Sequence, residues 1–146
     1  MVLPAPGPDL QRKPVPERLH RHLRSKPIGL EIAKIAAVMR AHEPLRFGRM
    51  YFRQISADAQ HFGLPFGTDY AVAFSRLLYG QEILVAYDVS ANERNDCVVV
   101  DALLHTGGDT LSYLYGGSGT LAVQVVADGT HFVRLQLPSN RLVILA

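Results

Sequence analysis

The run LAVQVVADGTHFVRLQL, residues 121–137, decides the fold. Asp128-Gly129 stands between two stretches rich in Val, Phe and Leu, a strong short-range signal for a β-hairpin. In the second stretch Phe132, Arg134 and Gln136 fall on one face of an extended chain, and Val133, Leu135 and Leu137 on the other. A period of two is what a strand shows when one face meets a core and the other meets water.

Similar runs recur on both sides of this hairpin. RMYFRQIS (49–56), YAVAFSRLL (70–78), EILVAYDVS (82–90), DCVVVDALL (96–104) and TLSYLY (110–115) precede it. The hairpin itself supplies LAVQVVA (121–127) and HFVRLQL (131–137), and RLVILA (141–146) follows. The separators FGLPFGTD, YGQ, ANERN, HTGGD, GGSG, DGT and PSN carry turn residues. They are shorter than the dozen or so residues a parallel crossover needs. The expected fold is therefore mainly β: an antiparallel β-sandwich of about eight strands over residues 44–146. Within it, VVV and LVIL are continuously apolar, as expected of strands covered on both faces.

Upstream, residues 27–43 have a helical period, giving one N-terminal amphipathic helix before the sandwich. Pro27 suits a first helical turn and Ser25 is placed to cap it. Ile28, Ile32, Ile35 and Met39 line one apolar face, widened by Ala33, Ala36 and Ala37, while Glu31, Lys34 and Arg40 can face water. Pro44 disfavours helical geometry at Glu43, so the helix should stop near His42.

Residues 1–26 form a basic, proline-rich arm. They hold five of the nine prolines and six basic against two acidic residues, a local charge of +4. The remainder has nine basic against eleven acidic residues, so the net +2 is a property of the arm and not of the fold. Charge alone would let such an arm touch nucleic acid or an acidic membrane surface, yet no aromatic residue interleaves the basic ones, and a solvated arm is the simpler reading. His20 and His22 lack a third ligand nearby, and no metal is expected.

At 146 residues the chain is long enough for one domain with a real core, and 48% hydrophobic against 19% charged residues is the balance of a folded protein. No apolar run approaches the roughly 20 residues of a spanning helix, and the N-terminus lacks the apolar region of a secretory signal. Cytoplasm is the expected compartment. Cys97 is the only cysteine, which rules out an intramolecular disulfide and a Cys-based zinc site within these residues.

Catalytic constellations are not evident. Asp88, Asp96, Asp101, Asp109 and Asp128 fall mostly at strand ends or turns, where aspartate serves local hydrogen bonds. Ser75, His105 and Asp101 are present, but no G-x-S-x-G elbow presents the serine. GGSG at 116–119 lacks the Lys-Ser/Thr of a phosphate loop, and no cofactor is expected. Tyr113 and Tyr115 share one face of their strand by parity, with Tyr87 as a neighbour; they would make a small sugar-stacking platform if that face is outward, and core otherwise. Arg46, Arg49 and Arg53 flank Phe47, Tyr51 and Phe52, where arginine can pair with carboxylates while its stem covers apolar surface.

Taken together, IAAVMRAHEPLRFGRMYFRQIS, LPFG, VAFSRLLYGQEILVAYDVS and LQLPSNRLVILA resemble the C-terminal part of α-amylase family glycoside hydrolases. There the last helix of a (β/α)₈ barrel runs into an antiparallel sandwich called domain C. The resemblance covers roughly Ile28 to Ala146 and departs from the family in YDVS, where asparagine is frequent. The family's catalytic aspartates and glutamate project from barrel strands, a fold of about 250 residues, so no catalytic residue is carried over. The resemblance implies a non-catalytic accessory domain that stabilises or assembles with a glycoside hydrolase in α-glucan metabolism. The alternative is a freestanding starch- or glycogen-binding module. Implied partners are a catalytic glycoside hydrolase chain or a second copy through the helix face of Ile28, Ile32, Ile35 and Met39, and an α-glucan; no membrane is implied.

Overall fold

A computed structural model describes residues 27–66 and 69–146. The arm, the His20/His22 pair and the Ser25 cap lie outside the described residues. The chain falls into two units that meet between Ala33 and Lys34, within helix α1 (Pro27–Ala41). The described part of the first is the opening of that helix, where Ile28, Leu30 and Ile32 are exposed.

The second unit, Lys34–Ala146, carries the sandwich. After α1 come a short helix α2 (Glu43–Phe47) and strands β1 (Arg49–Phe52), β2 (Ile55–Ser56), β3 (Ala71–Leu78), β4 (Gln81–Asp88) and β5 (Arg94–Val99). β6 (Thr110–Tyr115), β7 (Thr120–Ala122), β8 (Gln124–Val125), β9 (His131–Leu137) and β10 (Leu142–Leu145) complete it. Six strands form one sheet in the order β1-β3-β4-β10-β6-β7, and four form the other in the order β2-β5-β9-β8. Neighbouring strands pair antiparallel in both sheets.

The hairpin expected around Asp128-Gly129 forms, with Val125 opposite His131 and the Asp128 carboxylate accepting the Thr130 N–H at 2.8 Å. Its second strand alternates as read: Val133, Leu135 and Leu137 enter the inter-sheet core while Arg134 and Gln136 face solvent. Phe132 takes the outward face yet is buried, because Phe62 from the β2–β3 loop packs on it at a ring-centroid distance of 5.7 Å.

Two runs that read as single strands each serve both sheets. RMYFRQIS leaves the large sheet after Phe52 and joins the small one at Ile55, and LAVQVVA passes from β7 to β8 at Val123. The corner residues keep their backbone groups paired: Arg53 N–H donates to Ala73 O at 2.9 Å, and Val123 N–H to Asp109 O at 2.7 Å. Switching sheets at a bend is how a sandwich closes its corners, and it turns about eight runs into ten strands.

Two further boundaries differ from the sequence reading. The helix stops at Ala41 as its Pro44 stop requires, but Pro44 then sits in the first turn of α2, where a missing N–H costs nothing, and residues 43–47 are helical, not strand. DCVVVDALL ends as a strand at Val99. Asp101 starts a turn there, its carboxylate accepting the Leu103 N–H at 2.9 Å and its carbonyl the His105 N–H at 3.0 Å.

The main core lies between the sheets, built from Leu84, Ala86, Val98, Leu111, Leu135, Val143, Leu145 and their neighbours. A second cluster occupies the outer face of the large sheet, where Val38 of α1 and Leu45 of α2 cover Ile83, Val85 and Ile144. Double coverage explains why ILVA and LVIL are continuously apolar.

Candidate functional site

The tyrosine platform does not assemble as parity predicts. Tyr113 packs on the inter-sheet core, whereas Leu114 and Tyr115 both join the outer cluster. The cause is a register irregularity: Leu145 faces Tyr113 and Ile144 faces Tyr115, so one extra residue of β6 is accommodated and the alternation shifts. Tyr87 alternates with Ile83 and Val85 and therefore shares the outer face with Tyr115, remaining 38% exposed. The expected Tyr113–Tyr115 pair is thus split across the sheet, and burial pushes the Tyr113 phenol upward.

Ser75, His105 and Asp101 do come together, but around Glu82 and Arg53. Glu82 lies on the core-facing parity of β4, with a side chain of 0% exposure. One carboxylate oxygen accepts Arg53 Nη2 at 2.7 Å and the Ser75 hydroxyl; the other accepts the Asp101 backbone N–H at 2.9 Å. Arg53 Nε donates to Ser75 Oγ at 2.7 Å, and its Nη2 lies 3.5 Å from Asp101. His105 Nε2 sits 3.0 Å from Glu82, outside aligned hydrogen-bond geometry. Burial pushes the Glu82 carboxyl up. His105, Ser75, the Asp101 N–H and the Arg53 charge together outweigh that and leave it below the usual range. Ser75 is fully buried and its hydroxyl is spent on Glu82, so this arrangement is a tie between the β1–β2 corner, β3, β4 and the β5–β6 loop and presents no nucleophile. Arg53 is the structural tie that its sequence position suggested, closed within the sandwich itself. Arg46 instead lies 4.9 Å over the Phe47 ring.

Of the aspartates, Asp88, Asp101, Asp109 and Asp128 bind nearby N–H groups at strand ends and turns. Asp96 is the exception. Buried in β5, it takes Arg94 Nε at 2.6 Å and Nη2 at 3.2 Å in a two-pronged pair. Arg94 Nη1 also donates to the Asp69 carbonyl at 3.1 Å. Hydrogen bonding to Asp96, then the charges of Asp96, Asp69 and Asp88, raise the Arg94 pKa.

Arg94 and Asp96 form part of the wall of a recess of about 520 Å³ beside the β2–β3 loop. Its apolar wall includes Phe62, Leu64, Phe66 and Tyr70, and its polar wall adds His61 and Asp69. Phe66 is 91% exposed. Asp58 orders the near end of the loop. Its Oδ1 accepts the Gln60 and His61 N–H groups at 2.8 and 3.0 Å, and its Oδ2 meets His61 Nδ1 at 2.7 Å. The His61 backbone bond, followed by its ring and Gln60, holds the Asp58 carboxyl well below the carboxylate range. The sequence reading assigned FGLPFGTD only to a turn. The available signal was three closely spaced residues, Phe62, Leu64 and Phe66, too apolar for a plain connection.

Among the described residues no three His, Cys, Asp or Glu side chains are grouped to hold a metal ion, and no helix is long and apolar enough to cross a membrane. Cys97 is buried, which pushes its thiol up and away from reactivity. No protein-family model matches the sequence, and a search of curated proteins finds no significant relative.

Proposed function

We propose that these residues form a non-catalytic accessory domain, similar to α-amylase domain C, that assembles with a glycoside hydrolase acting on α-glucans. The observation that carries this reading is the helix. It precedes an antiparallel sandwich, as in that family, and it leaves Ile28, Ile32 and Met39 exposed at 68%, 61% and 43%, with Ile35 half-buried. An exposed apolar face of this kind gains stability when a second protein surface covers it. A second copy or a catalytic chain would serve.

The test is sedimentation of the purified protein beside an Ile32→Asp/Met39→Asp variant, together with a reducing-sugar assay on starch. The unmodified protein is expected to self-associate and the variant to run as a monomer, neither releasing maltooligosaccharides. A monomeric unmodified protein at every concentration contradicts assembly through the helix, and reproducible sugar release contradicts the non-catalytic reading.

A second reading, a freestanding starch- or glycogen-binding module, is favoured by the recess. Its exposed Phe66 beside a paired Arg94 and Asp96 combines a flat apolar face with fixed polar groups.

A further inference from the structure

We infer that the recess between the β2–β3 loop and the start of β5 binds one short segment of a neutral pyranose chain. The assignment rests on the α-glucan reading above and gives it a location.

Charge decides the class of ligand. Arg94 stands among Asp96, Asp69 and Asp88, and His61 is backed by Asp58, so a free anion meets more carboxylates than cations. A cation meets the Arg94 guanidinium at the same wall. A wholly apolar molecule would strip water from the Arg94–Asp96 pair and return no hydrogen bond. A hydroxyl group satisfies both kinds of partner, because it accepts from arginine and donates to a carboxylate.

The donors and acceptors for it are present. Asp96 occupies Nε and one N–H of Nη2, and the Asp69 carbonyl one N–H of Nη1, so the five-donor fork of Arg94 has two N–H groups beyond these bonds. The Asp69 side chain, 65% exposed and 4.0 Å from Arg94, can accept from a ligand, and His61 has Nε2 besides the Nδ1 held by Asp58. Because the Asp96 carboxylate grips Arg94 in two places, the fork is oriented before any ligand arrives.

Other lining residues supply the apolar half. Phe62 is fixed by its contact with Phe132, while Phe66 presents a ring almost entirely to solvent. An exposed aromatic face gains by covering the C–H face of a pyranose ring, whose hydroxyls are then left free for the polar lining residues. The volume is within the roughly 300–1,000 Å³ of small-molecule sites.

The test is calorimetric titration of the full chain with maltotriose, with amide chemical shifts followed in parallel. Phe66→Ala removes an exposed ring and leaves the fold intact. Leu103→Ala, at another exposed position outside the recess, is the control. The expected results are binding by the unmodified protein, affinity about tenfold weaker in Phe66→Ala and unchanged in Leu103→Ala, and shifts at residues 61–66, 69–70 and 94–96. No maltotriose binding, equal affinity in Phe66→Ala, shifts confined to other residues, or displacement of maltotriose by a small diamine such as putrescine would each overturn the assignment. Glycogen affinity that persists undiminished in Phe66→Ala removes the recess and leaves the glucan reading standing. Absence of glycogen affinity in the unmodified protein removes the glucan-binding reading and leaves assembly through the helix face.

Discussion

Glu82→Leu is expected to lower the unfolding free energy by about 3–5 kcal/mol, because it strands Arg53 without its buried counter-charge. The substitution also leaves the Ser75 hydroxyl and the Asp101 N–H without their acceptor. Urea unfolding followed by circular dichroism measures the loss. Arg53→Met/Glu82→Leu, which removes both charges, is expected to recover part of it; a double variant as unstable as the single one would show that packing, and not charge, holds this corner. The pH dependence has a definite sign. The folded-state pKa of Glu82 lies below its ordinary value, so its contribution is complete above the unfolded carboxylate value of about 4.3 and is lost as the pH falls through the lower folded value. Stability of the unmodified protein should therefore decline in acid below that point, and the Glu82→Leu variant should decline less.

Gly116→Ala is expected to cost about 3 kcal/mol or more. Gly116 follows β6 with φ of +82°, and a Cβ there would stand 2.1 Å from the Leu142 carbonyl oxygen and 3.0 Å from Val143 Cα. Both neighbours are backbone of β10 or its approach, so the strand itself must move, and with it Val143 and Leu145 of the core. Gly119→Ala is the matched control. Its φ is +79°, but no atom lies within 4 Å of the added Cβ, leaving only the left-handed penalty of about 1–2 kcal/mol. The difference between the two melting curves isolates the clash. Equal losses would mean that the β6–β10 contact is looser than described.

Local chemistry carried much of the architecture. Strands β3, β6, β9 and β10 fall within one residue of their apolar runs, β4 within two, and the helix ends where Pro44 requires. What failed to show in the sequence depends on distant partners. Whether RMYFRQIS is one strand or two is decided by hydrogen bonds from Arg53 to Ala73 and from Val99 to Gln54. The Tyr113–Tyr115 parity fails because β10 meets β6 out of step. Glu82 gave a partial signal, a charge on the core-facing parity of an apolar strand, but its partners come from positions 7 to 29 residues away. The recess needed the β2–β3 loop to return onto β5, which composition alone does not encode. The tyrosines chosen as a sugar platform occupy half-buried or outer-sheet positions, whereas Phe66, which lines the recess, is among the most exposed aromatic residues described, together with Tyr79.

The recess and the second reading share the proposal that these residues bind an α-glucan. Native electrophoresis of the purified protein in gels with and without glycogen, beside a non-binding protein, tests it most directly. The glucan-binding reading predicts selective retardation in the glycogen gel; mobility identical in the two gels would contradict it and leave assembly through the helix face as the role.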